Sequence, residues 1–159
     1  MAKQLLIVFH TQFGGTAQLA EAALRGARTV TEIESTLLRA AAAQVDDVLA
    51  ADALIIATSE NFGGMAGMTK DFLERIYYPC EGRLAGRAYA VFVCAGSDGT
   101  GAMRDVDRVA RGLSLRKVHP GLIHRTGVVA QAVTVPQDVL ATVGEIAATV
   151  AAGLGAGLY

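Results

Sequence analysis

"FHTQFGGTAQLAEAA", residues 9–23, decides the fold, because it follows the apolar run Leu5–Val8 and leads into a helical pattern. Every position from Leu5 to Phe9 is apolar, as in a parallel strand covered on both faces. From Thr16 onward, Leu19, Ala20, Ala23 and Leu24 fall on one helical face. A strand that passes to a helix through so short a loop is the first half of a βα unit. The loop sets Thr11, Thr16 and the Gly14-Gly15 pair at the start of the helix, where hydroxyls, bare amides and the positive end of the helix dipole converge. No Lys or Arg is present, so the arrangement suits a terminal phosphate held by neutral donors. An ordinary glycine turn with Thr16 as N-cap accounts for the same loop equally well. A Walker loop is set aside because no Lys-Ser/Thr pair follows the glycines. A dinucleotide fingerprint is set aside because the third glycine of G-x-G-x-x-G is missing.

Downstream, apolar runs alternate with amphipathic stretches. Strands are expected at 4–9, 32–38, 53–59, 87–95 and 127–133, and helices at 16–27, 43–51, 66–77, 101–115 and 137–153. Five strands, each followed by a helix, predict an α/β fold: a doubly wound five-stranded parallel sheet with helices on both faces, one domain over 1–159. In such a sheet ligands bind beyond the carboxyl ends of the strands, near the reversal of strand order. The loops to inspect are therefore 10–16, 59–67 and 96–101.

Composition narrows the functional classes. The 159 residues include 14 Lys and Arg against 15 Asp and Glu, a net charge of -1, and 52% are hydrophobic. The mean hydropathy is +0.39 and the isoelectric point is near 6.3. No clustered excess of cations offers a surface to nucleic acid or an anionic membrane, and neither partner is expected. The run Leu5–Phe9 is too short for a signal core or a membrane span, and a cytoplasmic protein is expected. Cys80 and Cys94 lie fourteen positions apart and read as free thiols of a reducing compartment.

The loops carry a resemblance. "HTQFGGTAQLAEA" resembles the phosphate loop of flavodoxin-like proteins. "TSENFGGMAGMTKDFLERIYY" (58–78) is similar to the flavin-ring segment of flavodoxin-like NAD(P)H-dependent FMN and quinone reductases, and "YAVFVCAGSDGTGAMRDVDRVARGL" (89–113) resembles their fourth strand, flavin loop and following helix. The three stretches occur in the family's order. The resemblance implies FMN as cofactor, with Thr11, Gln12, Phe13, Gly14, Gly15 and Thr16 on its phosphate. Ser59, Glu60, Asn61, Phe62, Gly63 and Gly64 would line the ring, and Gly96, Ser97, Asp98 and Gly99 would close its other edge. It further implies electron transfer from NAD(P)H to a quinone or similar acceptor, with no side chain obliged to act as acid or base. The chain departs from flavodoxin carriers in being nearly neutral and in having no Trp, so ring stacking would fall to Phe62 or to a partner subunit. An oxidoreductase and a flavodoxin-type electron carrier without a substrate of its own both remain open. Tyr77 and Tyr78, beside Pro79, suit either core packing or a homo-oligomer interface.

Other motifs have their own readings. "AGSDG" (95–99) nearly fits the nucleophile elbow G-x-S-x-G with Ser97 as nucleophile. Asp105 and Asp107 follow too closely on the next helix to serve a triad with His119 or His124. His10 at a strand end either satisfies a neighbouring carbonyl or touches the phosphate. Asp46, Asp47 and Asp52 flank a short helix as caps and solvated faces. Met65 and Met68 either fill the core or contact a flat ligand.

Overall fold

The computed structural model describes residues 1–127 and 131–159. The first strand, β1 (Lys3–Phe9), lies inside the sheet, one place in from an edge, and its side chains from Leu5 to Phe9 are buried on both faces. It pairs in parallel with β2 (Ile33–Arg39) on one side and β3 (Ala53–Asn61) on the other. Next comes β5 (Ala88–Ala95), buried at every position and parallel to β3 from Ala53↔Ala88 to Ser59↔Cys94. Between them in sequence, β4 (Gly64–Met65) folds back on β3 as a short hairpin, with Glu60 opposite Met65 and Asn61 opposite Gly64.

The fifth position of the sheet is not where the sequence puts it. The apolar run 127–133 is expected as the last strand. Residues 128–130 fall outside the described residues, and Gly127 and 131–133 form no strand. The edge is instead built from two pieces, β6 (Arg116–Lys117) against the start of β5 and β7 (Leu122–Arg125) against its end. Val118–Gly121, containing Pro120, interrupts them. The order β2-β1-β3-β5 with β6 and β7 sharing the last place is the expected five-position parallel sheet, with one position broken in two.

Helices cover both faces. α1 (Gly15–Ala27) and α5 (Gln137–Gly155) lie on one, over Leu5, Ile7, Ile55 and Phe92. α3 (Gly67–Cys80) and α4 (Thr100–Gly112) lie on the other with the short α2 (Val45–Ala50), over Leu6, Val8, Ile56 and Val91. The alternation of one strand's side chains between two cores is the period-two pattern of a sheet buried twice. α1 and α5 approach closely where Gly26 meets Gly144: a β-carbon on Gly26 would collide with the carbonyl of Gly144. α5 is long and apolar enough, by length and composition, to cross a membrane. Its apolar stripe, which includes Val143, Ile146, Val150 and Leu154, is already buried in the core beneath it.

Candidate functional site

The carboxyl ends of β1, β3 and β5 open into a cleft of about 150 Å³, partly open to solvent. Three loops wall it, and they are the three that strand order singles out.

The first wall is 10–16. Gly14 takes a left-handed conformation at φ 86°, which favours glycine, and caps α1. Its N–H donates to Thr11 Oγ1 at 3.0 Å, folding the loop on itself. The N–H groups of Gly15, Thr16 and Ala17, in the first helical turn, have no carbonyl one turn back to accept them. Thr16, 1% exposed, lines the cleft with Thr11, Gln12, Phe13 and Gly15. Gly15 allows a close approach, since a β-carbon there would lie 2.6 Å from Cys94 Sγ. Gln18 secures the loop from behind. Its Nε2 donates to Gly14 O at 3.0 Å and to Val133 O at 2.6 Å, while its Oε1 accepts the Val135 N–H at 3.0 Å. The Val133 N–H donates to Phe13 O at 2.9 Å. The segment 133–135, expected as part of a strand or the loop after it, thus braces the first loop.

The second wall is the end of β3. Ser59, Glu60 and Asn61 line the cleft. Among the described residues that line the cleft, Ser59 has a buried hydroxyl with no hydrogen-bond partner, whereas buried hydroxyls are normally paired. Phe62 and Gly63 form the two-residue hairpin turn with φ 53° and 74°, the positive values of a type I′ turn. At the tip of this turn Phe62 is fully exposed, while Gly63 and Gly64 lie against α4. There Gly63 O lies where a β-carbon of Gly101 would be, and a β-carbon on Gly64 would lie 2.7 Å from Asp105 Oδ2. The Met65 N–H donates to Asp105 Oδ2 at 3.3 Å. A buried pair, Thr58 and Thr69, joins the base of the hairpin to α3 with hydroxyls 2.9 Å apart.

Glu60 differs from its neighbours. Its Oε1 accepts the Gly99 N–H at 2.9 Å and its Oε2 the Ala102 N–H at 3.1 Å. The carboxylate therefore caps α4, where helix amides and dipole favour an anion.

The third wall is the end of β5. Gly96 lines the cleft, together with Cys94 and Ala95 before it. Ser97 and Asp98 are exposed beside the wall, and Asp98 Oδ2 accepts the Thr100 hydroxyl at 2.6 Å. Gly99, at φ 88°, is the N-cap of α4 and packs against Ala95 and Ile123. Thr126 and Val133 complete the wall. The four residues Cys94, Ala95, Thr126 and Val133 escaped sequence reasoning. The first two are signalled by their place just before Gly96 at a strand end, whereas Thr126 and Val133 have no local signal.

The cleft offers little acid–base chemistry of its own. Burial pushes the Cys94 thiol up from its ordinary pKa, which keeps it a thiol and a poor nucleophile. His10, at the end of β1, is held below its ordinary value by burial and then by the Arg39 charge. Among the described residues no triad forms on Ser97. Asp107 is engaged by the Tyr89 hydroxyl at 3.0 Å and by Lys117 Nζ at 2.6 Å, and His119 Nδ1 accepts the Gly121 N–H at 3.0 Å.

The donor set fits FMN: a seat of neutral donors at the α1 N-terminus for one phosphate, and an unpartnered hydroxyl, Ser59, further along the same cleft. Comparisons with known proteins agree with this reading. The family model described as Flavodoxin matches residues 7–132. An NAD(P)H dehydrogenase (quinone) of Acidithiobacillus ferrooxidans is 32% identical over 111 residues, 57% of this chain and 56% of that protein. A flavodoxin of Aquifex aeolicus is 29% identical over 98 residues, covering 62% of this chain and 53% of that protein. The chain thus spans little more than half the length of the curated relatives it matches. The crystal structure of a WrbA-like flavodoxin from Agrobacterium tumefaciens superposes with a TM-score of 0.77 at 19% identity, covering 98% of each chain.

Proposed function

The chain belongs to the flavodoxin family, an FMN-binding family, and on that premise we propose that it is an oxidoreductase passing electrons from NAD(P)H to a quinone or similar acceptor. The observation that carries the cofactor is the seat at the start of α1: helix amides and threonine hydroxyls converge there, with no cation and no carboxylate in the loop. Such donors bind a phosphate through charge-assisted hydrogen bonds and the helix dipole. Bound FMN supplies two-electron chemistry between nicotinamide and acceptor.

The chain's own residues hold and orient. Thr11, Thr16 and the first amides of α1 take the phosphate, and Gln18 keeps their loop in place through Gly14 and Val133. Ser59 offers its free hydroxyl to the polar edge of the ligand. Glu60 has both oxygens committed to α4, and the Cys94 thiol stays protonated, so neither side chain is free to move a proton. This suits a reaction whose bond changes take place on the cofactor. The name carried by the relatives from Acidithiobacillus ferrooxidans and Syntrophobacter fumaroxidans supports the acceptor.

The test is the absorption spectrum of the purified protein, followed by stopped-flow mixing of the FMN-loaded form with NADH and NADPH and then with a quinone. Flavin reduced within seconds by one nicotinamide and reoxidised by quinone is the expected result. The flavodoxin of Aquifex aeolicus supports the second reading, an electron carrier. Flavin that resists both nicotinamides but accepts electrons from a partner reductase would establish that reading.

A further inference from the structure

A second cavity, of about 260 Å³, adjoins the cleft. Thr126 and Val133 line both spaces, so the two share a wall. That wall is fixed on each side: the Thr126 N–H donates to Ala95 O at 2.9 Å, and Val133 is held by Phe13 and Gln18. His124 and Arg125, the last residues of β7, line the second cavity together with Thr134. They lie opposite Cys94 and Ala95 in the parallel register with β5, at the same end of the sheet as the cleft. The two spaces differ in charge. Among the described residues that line the cleft, Glu60 holds the only formal charge. The second cavity has a guanidinium and an imidazole, with no carboxylate among the described residues that line it. Lys70, Arg75, Arg104 and Lys117 each face a carboxylate, whereas the exposed Arg125 has none within ion-pair distance among the described residues. A guanidinium stays charged at any working pH, and its planar fork matches the oxygens of a phosphate.

We propose that His124 and Arg125 form a subsite for a phosphate group of the nicotinamide donor, placed beside the cleft that the donor's nicotinamide end enters. The proposal rests on the reductase reading above. In that reading the seat at the start of α1 takes the phosphate of FMN, so the second cavity serves a different molecule. This molecule has to reach the cleft, because the two spaces share a wall, and it has to carry an anion remote from its reacting end. A nicotinamide dinucleotide meets both conditions. A quinone carries no phosphate and has no use for Arg125. The donor offers two such anions: the diphosphate, common to NADH and NADPH, and the 2′-phosphate of NADPH alone.

Arg125→Ala removes the guanidinium, whereas Arg125→Lys keeps the charge without the fork. Dissociation constants for NADH and NADPH come from the dependence of flavin-reduction rates on nicotinamide concentration in the FMN-loaded protein. ADP-ribose, which has the diphosphate and no nicotinamide, is titrated by calorimetry as a readout independent of turnover. Arg125→Ala should weaken donor binding about three- to tenfold, the size expected of a charge-assisted contact at an exposed and partly screened cation. Arg125→Lys should fall between Arg125→Ala and wild type, and FMN affinity should not change in either. Equal losses for NADH, NADPH and ADP-ribose would support the proposal and assign the subsite to the diphosphate, and a loss confined to NADPH would support it and assign the 2′-phosphate. Constants unchanged for all three ligands, in a protein whose flavin the nicotinamides reduce, would overturn the proposal and leave the reductase reading intact. A loss of FMN affinity with riboflavin binding kept would also overturn it, since Arg125 would then serve the phosphate of the cofactor. Wild-type flavin reduced by neither nicotinamide would overturn the reductase reading and this proposal together.

Discussion

Thr16 carries the most consequence per atom, because it is buried at the start of α1 in a seat that has no cation to share the load. Replacing it by Val keeps the shape and removes the hydroxyl. A hydrogen bond to a charged group contributes about 1.5–3 kcal/mol, so Thr16→Val should weaken FMN binding roughly ten- to hundredfold while leaving riboflavin binding nearly unchanged. Titration of both flavins by fluorescence quenching checks this, and equal losses would assign Thr16 to the fold alone. His10 supplies a pH-dependent prediction. Its pKa is lowered in the folded state, chiefly by burial and then by Arg39, while an unfolded histidine titrates near 6.5. The stability it contributes is therefore present above about pH 6.5 and lost as pH falls through the lowered folded value. Urea midpoints between pH 7.5 and 5 should fall in wild type and fall less in His10→Gln. Single residues were also where sequence was least explicit. Glu60 sits in a loop read as lining the flavin ring, yet its carboxylate caps a helix 39 residues away. Nothing local could reveal that partner.

At the scale of elements, the strongest constraint is the crossing of α1 and α5. A β-carbon on Gly26 would strike the backbone of Gly144, whereas one on Gly144 would sit 3.4 Å from Ala22 O, in ordinary contact. The two glycines should therefore differ. Gly26→Ala should cost about 1–3 kcal/mol through overpacking, while Gly144→Ala should be neutral or gain up to about 1 kcal/mol from helix propensity. Chemical denaturation of both variants decides it. Most elements were legible. Continuous apolar runs at β1, β3 and β5 and the facial patterns of α1, α3 and α4 fall within a few residues of their expected bounds. The last strand was misplaced because 127–133 is more apolar than "LIHR" at 122–125, an edge segment buried only in part that carries His and Arg. The hairpin was missed because Phe62 is not an expected residue for a type I′ turn, where Asn and Asp with Gly predominate.

For the molecule as a whole, the near equality of 14 basic and 15 acidic residues bears on how electrons enter and leave. A carrier steered to a protein partner by charge loses rate steeply as salt rises. A reductase of small molecules does not need that field. Reduction of the bound flavin by nicotinamide should therefore change only weakly, about twofold or less, between 20 and 300 mM salt, a range in which the screening length falls several-fold. Stopped-flow rates across that range are the measurement. The site at this scale was legible as three loops at one end of a parallel sheet, since topology alone selects that end. The part that Val133 plays in the third wall was not, because it depends on Gln18 reaching a segment more than a hundred residues away.

The broken edge has a further consequence. β6 and β7 each hold their own register against β5, and Val118–Gly121 spans the gap between them. Neither piece relies on the other for its hydrogen bonds, so added chain at this gap would leave the central strands untouched. Gly121 must stay, since a β-carbon there would meet Val91 O, whereas opening the chain between His119 and Pro120 gives up the bond that His119 Nδ1 accepts from the Gly121 N–H. Beyond that loss, inserted peptides pay only the slowly growing entropy of a longer loop. The gap is thus a natural graft point, at which a tag, a recognition loop or a small guest domain can be carried on the far edge of the sheet without passing through the core.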